Sequence, residues 1–399
     1  MTKPSPLKGT DLENKVPFFQ PIICVDTRSV LGHEVLGREQ VAGNYQSLGP
    51  FFHDPDTPQE AKITVDRHLR ERGLERMQRG PDNLQIFLNI QPDWIWSCLE
   101  TGRDFPTVEL IKKARFPGER VVIEITESEF HGDIGLLAEV MKVYRQAGFR
   151  IAIDDVGCGF SNLDRIVSLK PDFIKIDANL VREINETGLA FHMLESMALF
   201  AQRSGIDVIF EGIETREQFV SGLQAGARYY QGYLFARPQP ELDTGDYLQL
   251  TLQEDFEVFA SRQLVSRERQ LELAQQNNRA LEPLGRAGAA PCVETLLEQA
   301  RRQALPPWFR LYICQENGYQ VTPNYLRSHP GEPWRELPEY YNRYWGWRPY
   351  FIPLFTQARQ QGRGILSEPY NDLESGQEIC TFCYPLPGNL FLFIDISLG

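Results

Sequence analysis

Between residues 85 and 235 the chain repeats one pattern, a short apolar run that stops on a polar residue, followed by a stretch with apolar residues at helical spacing. QIFLNI reaches Asn89, VVIEITES carries Glu124 and Glu127, and IAIDD ends on Asp154 and Asp155. DFIKID carries Lys175 and Asp177, DVIFEGIE carries Glu211, and YYQGYLFARP carries Gln231. The intervening helical stretches are GLLAEVMKVYRQAG, which stops at Gly148, then NLDRIVSLKP, GLAFHMLESMALFAQRSG and REQFVSGLQAGA. Apolar runs alternating with helices read as a parallel sheet covered on both faces. Upstream, FFQPIICVD and VLGHEVLGRE read as two strands or a hairpin, with Glu34 in the second, and AKITVDRHLRERGLERMQ reads as a helix. About eight strands over roughly 230 residues predict a closed TIM-like (β/α)8 barrel rather than an open sheet. No G-x-G-x-x-G follows a first strand, which argues against a dinucleotide fold.

Further along, the pattern changes. From about Leu248 to Glu282 the chain is rich in Gln, Glu and Arg, with Leu252, Phe256, Leu264, Leu271 and Leu281 spaced along it. This predicts one long helix packing its apolar residues against the barrel, or, as the second reading, forming a dimer seam. Glu257, Arg267 and Asn278 interrupt a heptad repeat, and Pro283, Gly285 and the tract up to Pro291 end the helix. Past Cys292, a helix VETLLEQARRQ, a strand FRLYICQ, a turn at ENG and a hairpin around Pro387 to Asn389 predict a smaller α+β domain. Trp345, Trp347, Tyr350 and Phe351 read as its core, with the lining of a sensor pocket as the alternative. The expected organisation is a lead over 1–17, a barrel over 18–245, a connecting helix over 246–284 and the α+β domain over 285–399.

A formal net charge of −13, from 54 acids and 41 bases with no Lys/Arg block, argues against a nucleic-acid polymer as partner. The start, MTKPSPLKGTDLENK, has no apolar h-region, and no run is long enough to span a bilayer. A soluble cytoplasmic protein without membrane insertion is expected. Seven cysteines, an odd number lying mostly in apolar runs, suit reduced thiols. Cys380 and Cys383 have C-x-x-C spacing inside a strand, where such positions face opposite sides, so neither a redox pair nor a zinc site is expected.

In βα barrels, functional groups sit at the C-terminal ends of the strands. Barrel closure would gather Glu34, Asn89, Glu124, Asp154, Asp155, Lys175, Asp177, Glu211 and Gln231 in one mouth. Acids and amides without His or Cys form a hard oxygen-donor set suited to Mg²⁺ or Mn²⁺. So many carboxylates exceed what one cation neutralises, which points to two ions bridged by Asp154 or Asp155 and suited to displacement at phosphorus. Lys175 and Arg38 add positive charge for phosphate oxygens. His33, beside Glu34 on a strand, is expected to face the other way as a packed side chain.

HEVLGR, FLNI, VIEITES, IDDVGCGFSNL, PDFIKID, FEGIET and YYQGYLFARP, in that order from about Phe18 to Pro240, resemble the successive motifs of EAL-domain proteins. That family hydrolyses the bacterial second messenger cyclic di-GMP to linear pGpG. The resemblance implies that Glu34, Asn89, Glu124 and Asp154 are metal ligands, Asp155 the acid shared with a second ion, Lys175 the lysine at the attacking water and Glu211 the general base. It implies that Leu36 and Arg38 contact the dinucleotide, that Gln231, Glu214 and Asp177 lie near it, and that Glu127 anchors the loop after the paired aspartates. Mg²⁺ or Mn²⁺, inhibition by Ca²⁺ and a homodimer go with it. The chain departs from the family where Val35 follows the signature Glu and where DVGCGFSNL carries Val156, Cys158, Phe160 and Asn162 in place of Phe, Thr, Tyr and Ser.

The C-terminal region, with QENGYQVTPNYLR, WGWRPYF and LSEPYNDLESG, resembles the PAS-like or Cache-like sensor domain appended to EAL domains in YkuI-type proteins, implying control by an unidentified small-molecule or protein signal. Two functions follow: a metal-dependent cyclic di-GMP phosphodiesterase, or a cyclic di-GMP receptor whose altered GCGFSN loop leaves little turnover. A metal-dependent barrel enzyme with another substrate rests on fold analogy alone.

Overall fold

The structure, a computed structural model, describes residues 11–90, 105–126, 134–157, 163–184, 188–285 and 292–398. Two compact units result, Met1–Ala260 and Ser261–Gly399.

In the first unit β1 (Lys15–Cys24), β2 (Ser29–Val41), β3 (Asn44–Ser47), β4 (Gln85–Ile90), β5 (Val121–Thr126), β6 (Arg150–Val156), β7 (Phe173–Ile176), β8 (Asp207–Phe210) and β9 (Tyr229–Tyr230) form one sheet. From β2 through β4 to β9 each barrel strand runs parallel to its neighbour. β1 closes the ring by pairing with β2 on one side and β9 on the other, antiparallel in both cases. The TIM-like barrel is therefore closed by eight strands, but its first strand is reversed. The cause is local: only residues 25–28 link β1 to β2, too few for the crossover a parallel neighbour needs. β3 folds back on the end of β2 through Ala42 and Gly43, both at positive φ as a type I′ turn requires.

Alternation along each strand builds two cores. Ile86 and Leu88, Ile123 and Ile125, Ile151 and Ile153, Ile174 and Ile176, and Val208 and Phe210 face outward to the helices. They meet Leu74 and Met77 of Gln59–Met77, Val140 and Tyr144 of Ile134–Gln146, Leu194 of Leu189–Ser204, and Phe219 of Arg216–Ala225. Each such buried side chain contributes about 1.5–3 kcal/mol. Ile22, Cys24, Phe87, Val122, Ala152, Phe173, Ile209 and Tyr229 fill the barrel's interior as a separate cluster.

The helix Leu248–Gly285 contributes Leu248 and Leu252 to the core of the first unit and Leu281 and Leu284 to that of the second. Leu264 and Leu271, expected to pack, are exposed. The second unit holds an antiparallel sheet in the order β12-β11-β10-β16-β15-β13, with β14 beside β15. These strands are β10 (Trp308–Gln315), β11 (Asn324–Leu326), β12 (Arg335–Leu337), β13 (Ile365–Leu366), β14 (Tyr370–Asn371), β15 (Glu378–Leu386) and β16 (Leu390–Ser397). Helices Val293–Arg302 and Phe351–Gln361 contribute to two different hydrophobic clusters against it. This is the smaller α+β unit read from the sequence. Trp345 and Phe351 lie in its core, whereas Trp347 is exposed. Among the described residues no helix is long and apolar enough to cross a membrane.

Candidate metal centre

The site follows from the same alternation. Two residues beyond the inward-facing Phe87, Val122, Ala152, Phe173, Ile209 and Tyr229 stand Asn89, Glu124, Asp154, Lys175, Glu211 and Gln231. Strand period two turns each back into the barrel one layer higher, so an apolar plug carries a polar ring at the strands' C-terminal ends. Glu34 joins from β2, while His33 faces away, edge-on to Phe19, its Nε2 accepting from the Asp243 backbone N–H at 3.0 Å.

Lys175, 1% exposed, is the hub. Its Nζ lies 2.7 Å from Glu211 Oε1, 2.9 Å from Glu124 Oε1, 3.1 Å from Asp154 Oδ1 and 3.3 Å from Glu34 Oε2. Burial alone would pull the ammonium down, but the four acids override it and hold it well above the ordinary lysine range. One cation cannot compensate four carboxylates, and the acids respond unequally. Glu34 accepts from Gln231 Nε2 at 2.7 Å and Asn89 Nδ2 at 2.8 Å. Burial would raise Glu34, yet Lys175 and these donors keep it below its usual value. Glu124 is fully buried and neither of its oxygens receives a properly directed hydrogen bond. Burial accordingly pushes Glu124 well up, raises Asp154, and moves Glu211 up to about 8.

The paired aspartates are made possible by a defect in the strand. β6 shifts register against β7 between Ile153 and Val156, and Asp155 sits at φ +57°, in the left-handed region. Such a bulge re-aims a side chain that strict alternation would send to the opposite face. The Asp155 N–H donates to Asp154 Oδ1 at 3.0 Å, and burial, then Asp154, pushes the Asp155 carboxyl up to about 6.

Two cavities open on this ring. One, of about 300 Å³, runs from Leu36 and Arg38 past Leu48, Phe52 and Asp66 to Asp154 and Asp155. The other, of about 310 Å³, is lined by Glu34, Lys175, Glu211, Glu214, Gln231 and Tyr233. Leu36, Asp154 and Asp155 line both. Burial lowers Arg38, whose Nη1 donates to Gly37 O at 2.9 Å. Glu214 is exposed and pairs with Arg182 at 3.2 Å, its backbone N–H held by Gln218 in the capping box of Arg216–Ala225. Asp177 stays outside both cavities. Its carboxylate accepts from the Asn179 N–H and caps the turn Ala178–Arg182, although its charge still raises Asp155. Glu127 and the loop residues 158–162 lie outside the described residues. Gln20 was not anticipated: it lies opposite Glu34 in the β1–β2 register and lines the second cavity. Its signal was the same two-residue offset, counted backwards from Ile22 because β1 runs the other way.

Gly232, next to Gln231, is needed for close approach, since a Cβ there would sit 2.1 Å from Ile213 O. Gly232→Ala is expected to cost about 1–3 kcal/mol and to displace Gln231. Thermal denaturation checks this, and an unchanged melting temperature would count against it.

The donor set fits divalent cations. Glu34, Glu124 and Asp154 offer oxygens within 4.8 Å of one another, as do Asp154, Asp155 and Glu211, so the two groups share Asp154. The unsatisfied Glu124 carboxylate is what a hard cation would complete. The sign of the pH dependence follows. Asp155 and Glu211, ordinarily titrating at 3.8 and 4.5, titrate at about 6 and about 8 in the folded, metal-free chain. The folded state therefore binds protons that the unfolded chain has released, and this stabilisation, complete below pH 4, is lost as pH rises through 6 and then 8. In EDTA the melting temperature is expected to fall between pH 5 and 9, and Mg²⁺ or Mn²⁺ to restore more of it at the alkaline end. A metal-free melting temperature that rises across this window would contradict the assignment.

An eight-stranded barrel with a buried carboxylate ring on one lysine defines the class, a βα barrel built to hold divalent cations. Within that class the chain belongs to the EAL domain family, which residues 10–238 match, while residues 243–399 match the family described as EAL-domain associated signalling protein domain. YkuI of Bacillus subtilis, an uncharacterized EAL-domain containing protein, is 34% identical over 394 residues, 97% of this chain and 95% of YkuI. The crystal structure of YkuI in complex with substrate c-di-GMP and calcium matches with a TM-score of 0.86 and 32% identity over 98% of both chains. The cyclic di-GMP phosphodiesterase RocR of Pseudomonas aeruginosa is 28% identical over 60% of this chain and 62% of its own length. A manganese and cyclic di-GMP complex of Klebsiella pneumoniae BlrP1 matches with a TM-score of 0.50 and 27% identity over 59% of this chain and 58% of BlrP1.

Proposed function

We propose that this chain hydrolyses one phosphodiester of cyclic di-GMP to give linear pGpG. The carrying observation is the Lys175-centred ring of Glu34, Glu124, Asp154 and Glu211, whose charge and unsatisfied oxygens call for divalent cations. Two Mg²⁺ or Mn²⁺ ions, held by Glu34, Asn89, Glu124, Asp154 and Asp155, would supply Lewis acidity for water and phosphoryl oxygens, and their charge would return Glu211 to its ionised form at neutral pH. Glu211 accepts the proton of the water that attacks phosphorus, the bond to the 3′ oxygen breaks and that oxygen takes up a proton to leave as a hydroxyl, while the phosphate stays on the 5′ side. Lys175, 2.7 Å from Glu211, orients that base. Two cavities meeting at Leu36 and the paired aspartates suit a ligand with two nucleotide halves, with Arg38 on phosphate and Gln20, Gln231 and Glu214 flanking the second half.

Calcium takes looser, larger coordination and is expected to support binding while inhibiting turnover. We further place the protein in the cytoplasm as a homodimer, with 18–245 as the catalytic barrel, 246–284 as connecting helix and 285–399 as a sensor domain that regulates it. The receptor reading is supported by the substituted loop DVGCGFSNL. The two separate on one pair of measurements, cyclic di-GMP affinity in Ca²⁺ and pGpG release in Mg²⁺ or Mn²⁺. Arg38→Ala is expected to weaken affinity about tenfold, read by calorimetry in Ca²⁺; an unchanged affinity would remove Arg38 from the site.

A further inference from the structure

Asn89 is held through both its side chain and its main chain. Nδ2 donates to Glu34 Oε1 at 2.8 Å, which leaves Oδ1 for a cation, and the backbone carbonyl accepts from Arg70 Nη2, also at 2.8 Å. Arg70 lies on the face of the helix Gln59–Met77 that is buried against the barrel, among Val65, Leu69, Gly73, Leu74 and Met77. Among the described residues of the first unit it is the one buried arginine, 6% exposed. A leucine would continue this apolar stripe without the cost of taking a charge out of water.

The end of the β2–β4 ladder shows what the charge is there to do. β2 pairs with β4 only from Gly32↔Gln85 to Glu34↔Phe87, and Asn89 lies two residues beyond the last pair. Arg70 brings a donor to this end of β4 from the helix. Its charge is met by Asp66, one turn earlier, at 2.8 Å, and its Nη1 donates to Thr107 Oγ1 at 2.6 Å on the helix Pro106–Ala114. One planar fork therefore ties two helices to the strand end that carries Asn89, which an ammonium with its single centre cannot do. Asp66, Arg70 and Asn89 all line the first cavity.

We propose that Arg70 is a positioning residue of the metal centre: by fixing the Asn89 main chain it sets the direction in which Asn89 Oδ1 meets the cation. The inference rests on the reading of Asn89 as a cation ligand. Because Asp66 cancels its charge, Arg70 acts through geometry rather than through the field at the site. Groups that orient metal ligands in this way are worth about 10–100-fold in metal affinity.

The test is calorimetric titration of the full chain with Mn²⁺, without dinucleotide and below the melting temperature of each variant. Arg70→Met should lower Mn²⁺ affinity by about 10–100-fold. Arg70→Lys, which keeps the charge opposite Asp66 and one donor group, should recover part of that loss. If Arg70→Met does not fold with Asp66 left unpaired, the double variant Asp66→Asn/Arg70→Met removes both charges and should show the same loss. Leu194→Ala, in the core at another helix, should lower the melting temperature and leave Mn²⁺ affinity unchanged. The proposal is overturned if Mn²⁺ affinity falls in Asn89→Ala but not in the folded Arg70 variants, a result that leaves the metal centre standing. It is also overturned if Leu194→Ala loses as much affinity as Arg70→Met, or if Arg70→Met weakens only cyclic di-GMP binding in Ca²⁺, which would make Arg70 a ligand contact. An unmodified chain that binds no Mn²⁺ would overturn the metal centre itself and this inference with it.

Discussion

Glu211→Ala is expected to lower pGpG release by about 10²–10⁴-fold while leaving cyclic di-GMP affinity in Ca²⁺ within a few-fold of the unmodified chain. Glu211 stands two residues beyond inward-facing Ile209 and is fixed by Lys175 at 2.7 Å, so its removal takes away a proton acceptor without emptying either cavity. Its neighbours Glu34, Glu124 and Asp154 remain to hold a cation. Single-turnover kinetics with Mn²⁺ checks the first part and calorimetry the second. Normal hydrolysis by this variant would move the base elsewhere.

Lys175→Met is the larger effect on stability. The substitution leaves three buried carboxylates and the half-buried Glu211 facing one another with no cation among them, and removing one partner of a buried ion pair costs about 3–5 kcal/mol. Part of that cost is escaped by protonation, because burial already favours the neutral forms of Glu124, Asp154 and Glu211. The variant should therefore be most destabilised in EDTA at alkaline pH and should recover on addition of Mg²⁺ or Mn²⁺. Urea denaturation with and without metal at pH 6 and 8.5 reads this. Equal stability of variant and unmodified chain in EDTA at pH 8.5 would show that Lys175 does not carry the charge balance of the ring.

The barrel was legible because its strands are marked twice, by Ile, Val and Leu runs on the outward face and by a polar residue where each run stops. Asn89, Glu124, Asp154, Lys175, Glu211 and Gln231 could be found that way because each follows an inward-facing plug residue by two positions. One residue and the geometry of two others needed coordinates. Gln20 lies on the one reversed strand, so its signal runs backwards and precedes its plug residue. Asp155 depends on a bulge and a left-handed backbone that no apolar pattern encodes. Asp177 resembles its neighbours in composition, yet its Oδ1 also accepts from the Asn179 N–H as an N-cap, a use that strand alternation cannot reveal. Leu264 and Leu271 fail for the opposite reason: helical spacing shows that residues share a face, not that anything covers it.

The most direct test is to incubate the purified full chain with cyclic di-GMP and Mg²⁺ or Mn²⁺ and to quantify linear pGpG by chromatography over time. Accumulation of pGpG that stops on chelation and is absent in Glu211→Ala is the predicted result. Cyclic di-GMP that is bound yet recovered intact with either metal would contradict the catalytic reading and leave the barrel as a receptor.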